Sequence, residues 1–186
     1  MAWNQLGFAI GGKLCNGSRM LRVTGTLVVV LALLSGAARA ADPASAALEQ
    51  RLAEATRSKK VTVVHLWAPW CSNCRAELAG GAWSRFIGAN PDVNFVFVTV
   101  WNAGDGREVL KASGVGAEPN FQLLLHPNPS RKRGEMVSEL LGLPISWIPS
   151  TWVYRDGTLC YALNYGELRF EVLGQLIRDS RDTWDH

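Results

Sequence analysis

Residues that could form a closed metal site are scarce in this chain, which has four cysteines and three histidines in 186 residues. One C-x-x-C pair, Cys71 and Cys74, is present, but there is no second pair and no pair of histidines at ligand spacing. A structural zinc site needs four ligands. The other candidates after residue 40 are Cys160, His65, His126 and His186. We therefore expect no bound metal and no cofactor.

Acidic residues are absent from the first 41 positions. All 16 acidic residues follow, together with 15 of the 19 basic residues, so that later part carries a net charge of −1. Proteins that bind phosphate backbones need a basic face. The one basic run, Arg131-Lys132-Arg133, lies among prolines and asparagine in what we interpret as a solvated loop. We expect no nucleic-acid partner.

An apolar run of about 20 residues, the length that spans a membrane, is also missing. The best candidate is the uncharged stretch from Leu27 to Leu34, which follows basic residues and precedes the small-residue pattern at 38–40. These features predict a secretory signal peptide over residues 1–40, cleaved after Ala40. An uncleaved, tilted anchor is the alternative, and Met20 would begin a more compact signal. We expect an exported, periplasmic protein, in a compartment that tends to oxidise C-x-x-C pairs.

The pattern after the signal predicts one domain over residues 61–186, preceded by a helix within residues 41–60. The predicted strands are Val61–Trp67, Val93–Trp101, Phe121–Leu125, Ser150–Arg155 and Thr158–Tyr165. The predicted helices are Cys71–Ile87, bent at Gly80-Gly81, then Arg107–Ser113, Met136–Leu141 and Glu167–Arg178. Asp156-Gly157 is a strong hairpin signal between the last two strands. The order predicts an α/β fold with parallel and antiparallel strands in one sheet between helices.

The C-x-x-C pair follows a predicted strand and begins a predicted helix, which is the thioredoxin-like arrangement. Free N–H groups and the helix dipole favour an anionic sulfur at Cys71. Cys74, three residues later, returns to the same helical face and points inward. Cys71 can then attack a disulfide while Cys74 resolves the mixed disulfide. After cleavage Cys160 would be an odd third thiol, which we interpret as an inert core residue.

The run from Trp67 to Leu78, Trp-Ala-Pro-Trp-Cys-Ser-Asn-Cys-Arg-Ala-Glu-Leu, resembles the active-site run of the thioredoxin superfamily. Its Cys-Arg-Ala-Glu-Leu ending is most similar to exported, TlpA-like thiol–disulfide oxidoreductases. The resemblance implies a thioredoxin-like fold in which residues 121–142 form a strand-helix insertion. It also implies a protein-disulfide reductase that acts on exported proteins, as in cytochrome c maturation, with electrons from a membrane donor.

A second motif, Ile148-Pro149-Ser150-Thr151, is similar to the cis-proline loop of that family. A cis bond there would set the backbone beside the two sulfurs and let it pair with an extended substrate. We therefore expect Pro149 to serve in catalysis and Ile148 to contact substrate. Trp70 and Trp147 are expected to shape the substrate groove, although packing explains Trp147 equally well.

His65 departs from the family pattern, because thioredoxins keep a buried acid at this strand position. A partly buried imidazole could shuttle the proton of Cys74. The alternative is a core histidine whose ring bonds a backbone carbonyl. Both interpretations remain open on the sequence.

The residues between the cysteines bear on the direction of electron flow. Ser72-Asn73 offers no positive charge to stabilise a Cys71 thiolate, and Glu77 offsets Arg75, so the sequence predicts a reducing couple. A disulfide-forming oxidase is the alternative, as is a redox-silent module that binds peptides or, with help from His126, copper.

Overall fold

The computed structural model of the chain describes residues 42–164 and 168–181. The predicted signal peptide, Cys15, Met20 and His186 lie outside these residues. Seven strands and five α-helices are formed within them. The strands are β1 (Thr62–Trp67), β2 (Asn94–Thr99), β3 (Phe121–Leu125), β4 (Glu139–Leu140), β5 (Leu143–Pro144), β6 (Ser150–Arg155) and β7 (Thr158–Leu163). The helices are α1 (Pro43–Thr56), α2 (Ser72–Leu78), α3 (Ala82–Gly88), α4 (Arg107–Ala112) and α5 (Phe170–Asp179).

Five strands form one mixed sheet in the order β3-β2-β1-β6-β7. β1 and β2 are parallel, as are β2 and β3. β6 runs antiparallel to both β1 and β7. This sheet, flanked by helices, confirms the predicted thioredoxin-like α/β fold.

β1 is the central strand, and all six of its residues are buried. Successive side chains of a strand point to opposite faces. Val63 and Trp67 therefore join one buried cluster, which also contains the two cysteines. Val64 and Leu66 join a second cluster on the other face. Each large apolar side chain buried in this way contributes roughly 1.5–3 kcal/mol to the free energy of unfolding.

The helix that carries the cysteines is broken where the sequence predicts a bend. Gly80 and Gly81 have φ angles of +66° and +68°, which lie in the left-handed region. A short 3₁₀ turn, Ala79–Gly81, separates α2 from α3 there. The break lets α3 bury Trp83 and Ile87 in the core independently of the direction of α2.

The helix predicted over Met136–Leu141 is wrong, and a small hairpin stands in its place. Leu140 of β4 pairs with Leu143 of β5. The two residues between them, Leu141 and Gly142, have φ angles of +53° and +75°. Two central residues with positive φ are the requirement of a tight hairpin turn. Of the predicted strand-helix insertion, the strand is therefore present as β3 and the helix is absent.

The last elements follow the prediction. Asp156 and Gly157 have φ angles of +49° and +79° and turn β6 into β7. α5 buries Leu173 and Ile177 against the cluster that contains the cysteines. The predicted first residue of this helix, Glu167, and the last of the strand, Tyr165, lie outside the described residues. No helix in residues 42–164 or 168–181 has the length and apolar character to cross a membrane.

Candidate functional site

Cys71 lies where the chain leaves β1 and enters α2. Its backbone N–H donates to the carbonyl of Ala68, which closes the turn after the strand. The residue caps α2, and its Sγ accepts the N–H of Cys74 at 3.2 Å. A backbone N–H aimed at sulfur favours the anionic form of that sulfur. Cys71 is 7% exposed and Cys74 is fully buried, so the two thiols differ in their access to solvent.

Cys74 lies behind Cys71 and is held as a neutral thiol. Burial is the largest cause that raises its pKa, and its side-chain hydrogen bond with Cys71 adds to this. A backbone hydrogen bond with Ala68 opposes the rise, while the charges of Cys71 and Glu77 increase it. A thiol attacks a disulfide only as the thiolate. Cys74 therefore needs a proton acceptor before it can act.

Glu77 is a buried carboxyl close to this thiol, one helical turn beyond Cys74. Its Oε1 accepts the backbone N–H of Leu168 at 2.9 Å. Its Oε2 lies 3.7 Å from Nε2 of His65. From the sequence, Glu77 is expected only to offset the charge of Arg75. The signal that points to it is its spacing, because residues i and i+3 of a helix share one face.

His65 contacts both the helix and the loop of the site. Its Nδ1 lies 2.9 Å from the hydroxyl oxygen of Thr151, and its ring packs against Trp83 and Phe97. In the alternative interpretation, a core histidine, the ring bonds a backbone carbonyl; at Nδ1 the side-chain hydroxyl of Thr151 takes that place. At 3.7 Å the Glu77 carboxyl lies beyond hydrogen-bond distance of the ring, and burial lowers the pKa of His65 to about 3. The imidazole is therefore neutral at pH 7.

The loop that precedes β6 lies against the sulfur of Cys71, the more exposed of the two cysteines. The Ile148–Pro149 peptide bond is cis. The thiol of Cys71 donates to the carbonyl oxygen of Ile148 at 3.6 Å. The Ser150 hydroxyl donates to the carbonyl of Trp147 at 2.8 Å and so closes the same turn. The fold thus brings a backbone acceptor to a residue 77 positions away in the chain.

Two tryptophans of the predicted groove are exposed. Trp70, next to Cys71, is 40% exposed, and Trp147 is 65% exposed. Trp70 Nε1 donates to the carbonyl of Trp101 at 2.9 Å. The Cζ atom of Arg131 lies 3.8 Å from the centre of the Trp70 ring. We interpreted residues 131–133 as a solvated loop, and Arg131 is the member of that run with an aromatic contact.

The two remaining candidate residues from the sequence, Cys160 and His126, make other contacts. Cys160 is a free thiol that is only half-buried, and its Sγ lies 3.7 Å from the Thr158 carbonyl oxygen. The prediction that it is a core residue is therefore only partly right. His126 uses Nδ1 to accept the N–H of Asn128 at 3.1 Å. Across residues 42–164 and 168–181, no three His, Cys, Asp or Glu side chains are grouped so as to hold a metal ion.

Comparison with known proteins gives a family match and several similar folds. A family model described as a thioredoxin-like domain matches residues 48–181. No match to a curated protein is found. Among solved structures, a secreted Mycobacterium tuberculosis disulfide oxidoreductase, described as homologous to Escherichia coli DsbE, is 23% identical. That match covers 67% of this chain and 85% of the other, with a TM-score of 0.47.

Two further solved structures are similar at lower identity. A DsbF homologue from Corynebacterium diphtheriae is 21% identical, with 67% of this chain and 74% of the other covered and a TM-score of 0.49. StoA from Bacillus subtilis is 20% identical, with 64% and 83% covered and a TM-score of 0.40.

Proposed function

The chain belongs to the family of thioredoxin-like domains, and from that premise we propose that it is an exported thiol–disulfide oxidoreductase that reduces disulfides of periplasmic proteins. One observation carries the proposal. Cys71 caps a helix with its sulfur beside the Ile148 carbonyl, and the neutral thiol of Cys74 lies buried behind it. This is the placement that a nucleophilic thiol and a resolving thiol require.

The first step is attack by the outer sulfur. The Cys71 thiolate forms a bond with one sulfur of the substrate disulfide, and the substrate S–S bond breaks. The second substrate sulfur leaves as a thiolate and takes a proton from solvent. The Cys74 N–H that bonds Cys71 Sγ at 3.2 Å stabilises the attacking thiolate before the step.

The second step releases the substrate. Cys74 loses its proton and its thiolate attacks Sγ of Cys71, which forms the Cys71–Cys74 disulfide and expels the second substrate thiolate. The substrate has then gained two electrons and the cysteine pair has lost two. A dithiol donor must reduce the pair again, and we place that donor at the membrane.

The proton of Cys74 passes to Glu77 in this proposal. Burial is the main cause of the raised pKa of Cys74, and the charge of the buried Glu77 carboxyl adds to it, so the two groups interact electrostatically. His65 acts as a positioning residue, because its ring lies between the Glu77 carboxyl and the Thr151 hydroxyl. The imidazole, kept neutral by burial, packs beside the Glu77 carboxyl and takes up no proton itself at pH 7.

Backbone at the cis-proline loop and the two exposed tryptophans would hold the substrate. The Ile148 carbonyl lies against Cys71 Sγ, so an extended chain bound along Ile148 and Pro149 would present its sulfur to Cys71. Trp70 and Trp147 expose apolar rings on which that chain can pack. These assignments follow the predicted site.

A redox titration of the Cys71–Cys74 couple tests the direction of electron flow. A reduction potential near the thioredoxin value of about −270 mV is expected for a reductase. A value near −120 mV, as in the strong oxidant DsbA, would assign the chain to disulfide formation instead.

Activity itself is tested by insulin reduction. Wild-type protein should be active, Cys71→Ser inactive, and Cys74→Ser should accumulate the mixed disulfide of the first step. Wild-type protein with no activity to lose would point to a redox-silent binding module. Export is tested separately by sequencing the N-terminus of the periplasmic form, which should begin at Ala41.

A further inference from the structure

Arg131 is fixed over the indole ring that precedes the attacking cysteine. Its Cζ lies 3.8 Å from the centre of the Trp70 ring, which is a stacking distance. The ring itself cannot swing freely, because its Nε1 donates to the Trp101 carbonyl at 2.9 Å. A guanidinium group is therefore held over the side chain of the residue that directly precedes Cys71 in the chain.

The loop that carries Arg131 is tied down on both sides. At its start, the N–H of His126 donates to the Thr99 carbonyl at 2.9 Å. Across it, the Asn128 side-chain amide donates to the Glu135 carbonyl at 2.7 Å. After it, Trp101 Nε1 donates to the Val137 carbonyl at 2.8 Å. The position of Arg131 is thus set by the fold rather than by the stack alone.

The charge of Arg131 is available to a partner. Its neighbour Lys132 is paired with Glu135 at 2.6 Å. No ion pair within residues 42–164 and 168–181 engages Arg131. Stacking uses the flat face of the guanidinium and leaves its N–H donors, which lie in the plane, to bind a carboxylate with two parallel hydrogen bonds.

We propose that Arg131 is a specificity-determining residue that binds an Asp or Glu side chain beside the reactive cysteine of the partner polypeptide. The preferred substrates are then disulfides flanked by acidic residues. This inference rests on the proposed function, because it concerns the substrate that the same cysteine pair would reduce. Trp70 supplies the platform on which the guanidinium is oriented.

Single-turnover kinetics with two matched peptides tests the inference. Both peptides have one disulfide and the same length, and they differ only in whether Asp or Lys flanks the cysteines. Pre-reduced protein is mixed with excess peptide, and the second-order rate constant is followed by tryptophan fluorescence. No electron donor is needed.

Wild-type protein should react about fivefold faster with the Asp peptide than with the Lys peptide, a ratio typical of an exposed charge-assisted contact. Arg131→Ala should bring the ratio close to one, and Arg131→Glu should invert it. Arg133→Ala is the matched control, because Arg133 is exposed in the same basic run and should keep the wild-type ratio.

Three results would overturn the inference. The first is a wild-type ratio of rate constants close to one, and the second is a ratio that Arg131→Ala leaves unchanged. The third is an Arg133→Ala ratio that falls as far as that of Arg131→Ala, which would assign the preference to the general charge of the loop. These results leave the proposed function standing. Failure of wild-type protein to react with either peptide would instead reject the proposed function itself.

Discussion

Nε2 of His65 lies 3.7 Å from Oε2 of Glu77, and both side chains are at most 2% exposed. One residue comes from the central strand and the other from the helix of the cysteines, so the contact joins the sheet to the redox pair. The buried Cys74 thiol lies within electrostatic range of this carboxyl. These are the buried polar side chains to which we assigned a part in the proposed resolving step.

His65→Asn should slow turnover and change the pH dependence of the rate, while the reduction potential of the cysteine pair moves little. The reason is that Asn can keep a hydrogen bond to Thr151 but is too short to hold a ring nitrogen beside the Glu77 carboxyl, whose position and proton affinity should then change. Steady-state rates between pH 5 and 9 and a redox titration measure both effects. A pH–rate profile identical to that of the wild type would limit His65 to a packing role.

Glu77→Gln should slow the second step by about 100-fold, the usual contribution of a general base. The amide keeps the size of the side chain but cannot take the Cys74 proton. Mixed disulfide should therefore persist in a quenched-flow experiment with a peptide disulfide. Glu171→Gln, an exposed change on α5, is the control and should resolve the mixed disulfide at the wild-type rate. Equal resolution rates in the two variants would contradict a role for Glu77.

The free energy of unfolding should fall as the pH drops below 6.5, in part because of His65. The folded-state pKa is about 3 against an ordinary value of 6.5, so the unfolded chain binds a proton that the folded chain does not. The contribution of His65 to the free energy of unfolding is fully present above pH 6.5. It is lost as the pH falls towards 3, at up to about 1.4 kcal/mol per pH unit.

Urea denaturation at pH 7, 5 and 4 measures this loss. His65→Asn lacks the titrating ring, so its free energy of unfolding should fall less steeply over the same range. Parallel pH dependence in the variant and the wild type would show that other groups account for the loss.

Gly106→Ala should lower the free energy of unfolding by about 2–4 kcal/mol. A Cβ at this residue would lie 2.6 Å from Cη2 of Trp67, and φ is +76°. Gly142→Ala is the matched control, because φ is +75° but nothing lies within 4 Å of the added Cβ. Gly142→Ala should lower the free energy of unfolding by about 1 kcal/mol, which is the cost of a Cβ at positive φ alone. Equal costs in urea denaturation would mean that Trp67 moves aside without penalty.

The sheet and the cysteine helix follow from local sequence. The continuous apolar run of β1 predicts a strand covered on both faces, and the glycine pair at 80–81 predicts the break in the helix. The helix predicted over residues 136–141 is wrong because apolar residues at helical spacing also fit a short hairpin. Leu141 adopts a left-handed φ that a leucine rarely takes. Tertiary packing of Leu140 therefore outweighs the local preference there.

Two parts of the site depend on contacts between distant residues. Glu77 is buried with a partner because Leu168, 91 positions away, donates its N–H. Arg131 meets Trp70 because the loop after β3 is tied to the end of β2 by the Thr99 carbonyl. Neither contact leaves a periodic pattern in the sequence. The C-x-x-C and Ile-Pro motifs, in contrast, mark their positions directly.

The acceptor that faces the Cys71 thiol is the main-chain oxygen of Ile148. Replacing a side chain cannot delete a peptide carbonyl. A substitution at residue 148 therefore changes the side chain and keeps this oxygen, so a screen that varies the residue tests the side chain alone. The oxygen is in place wherever the backbone follows this path.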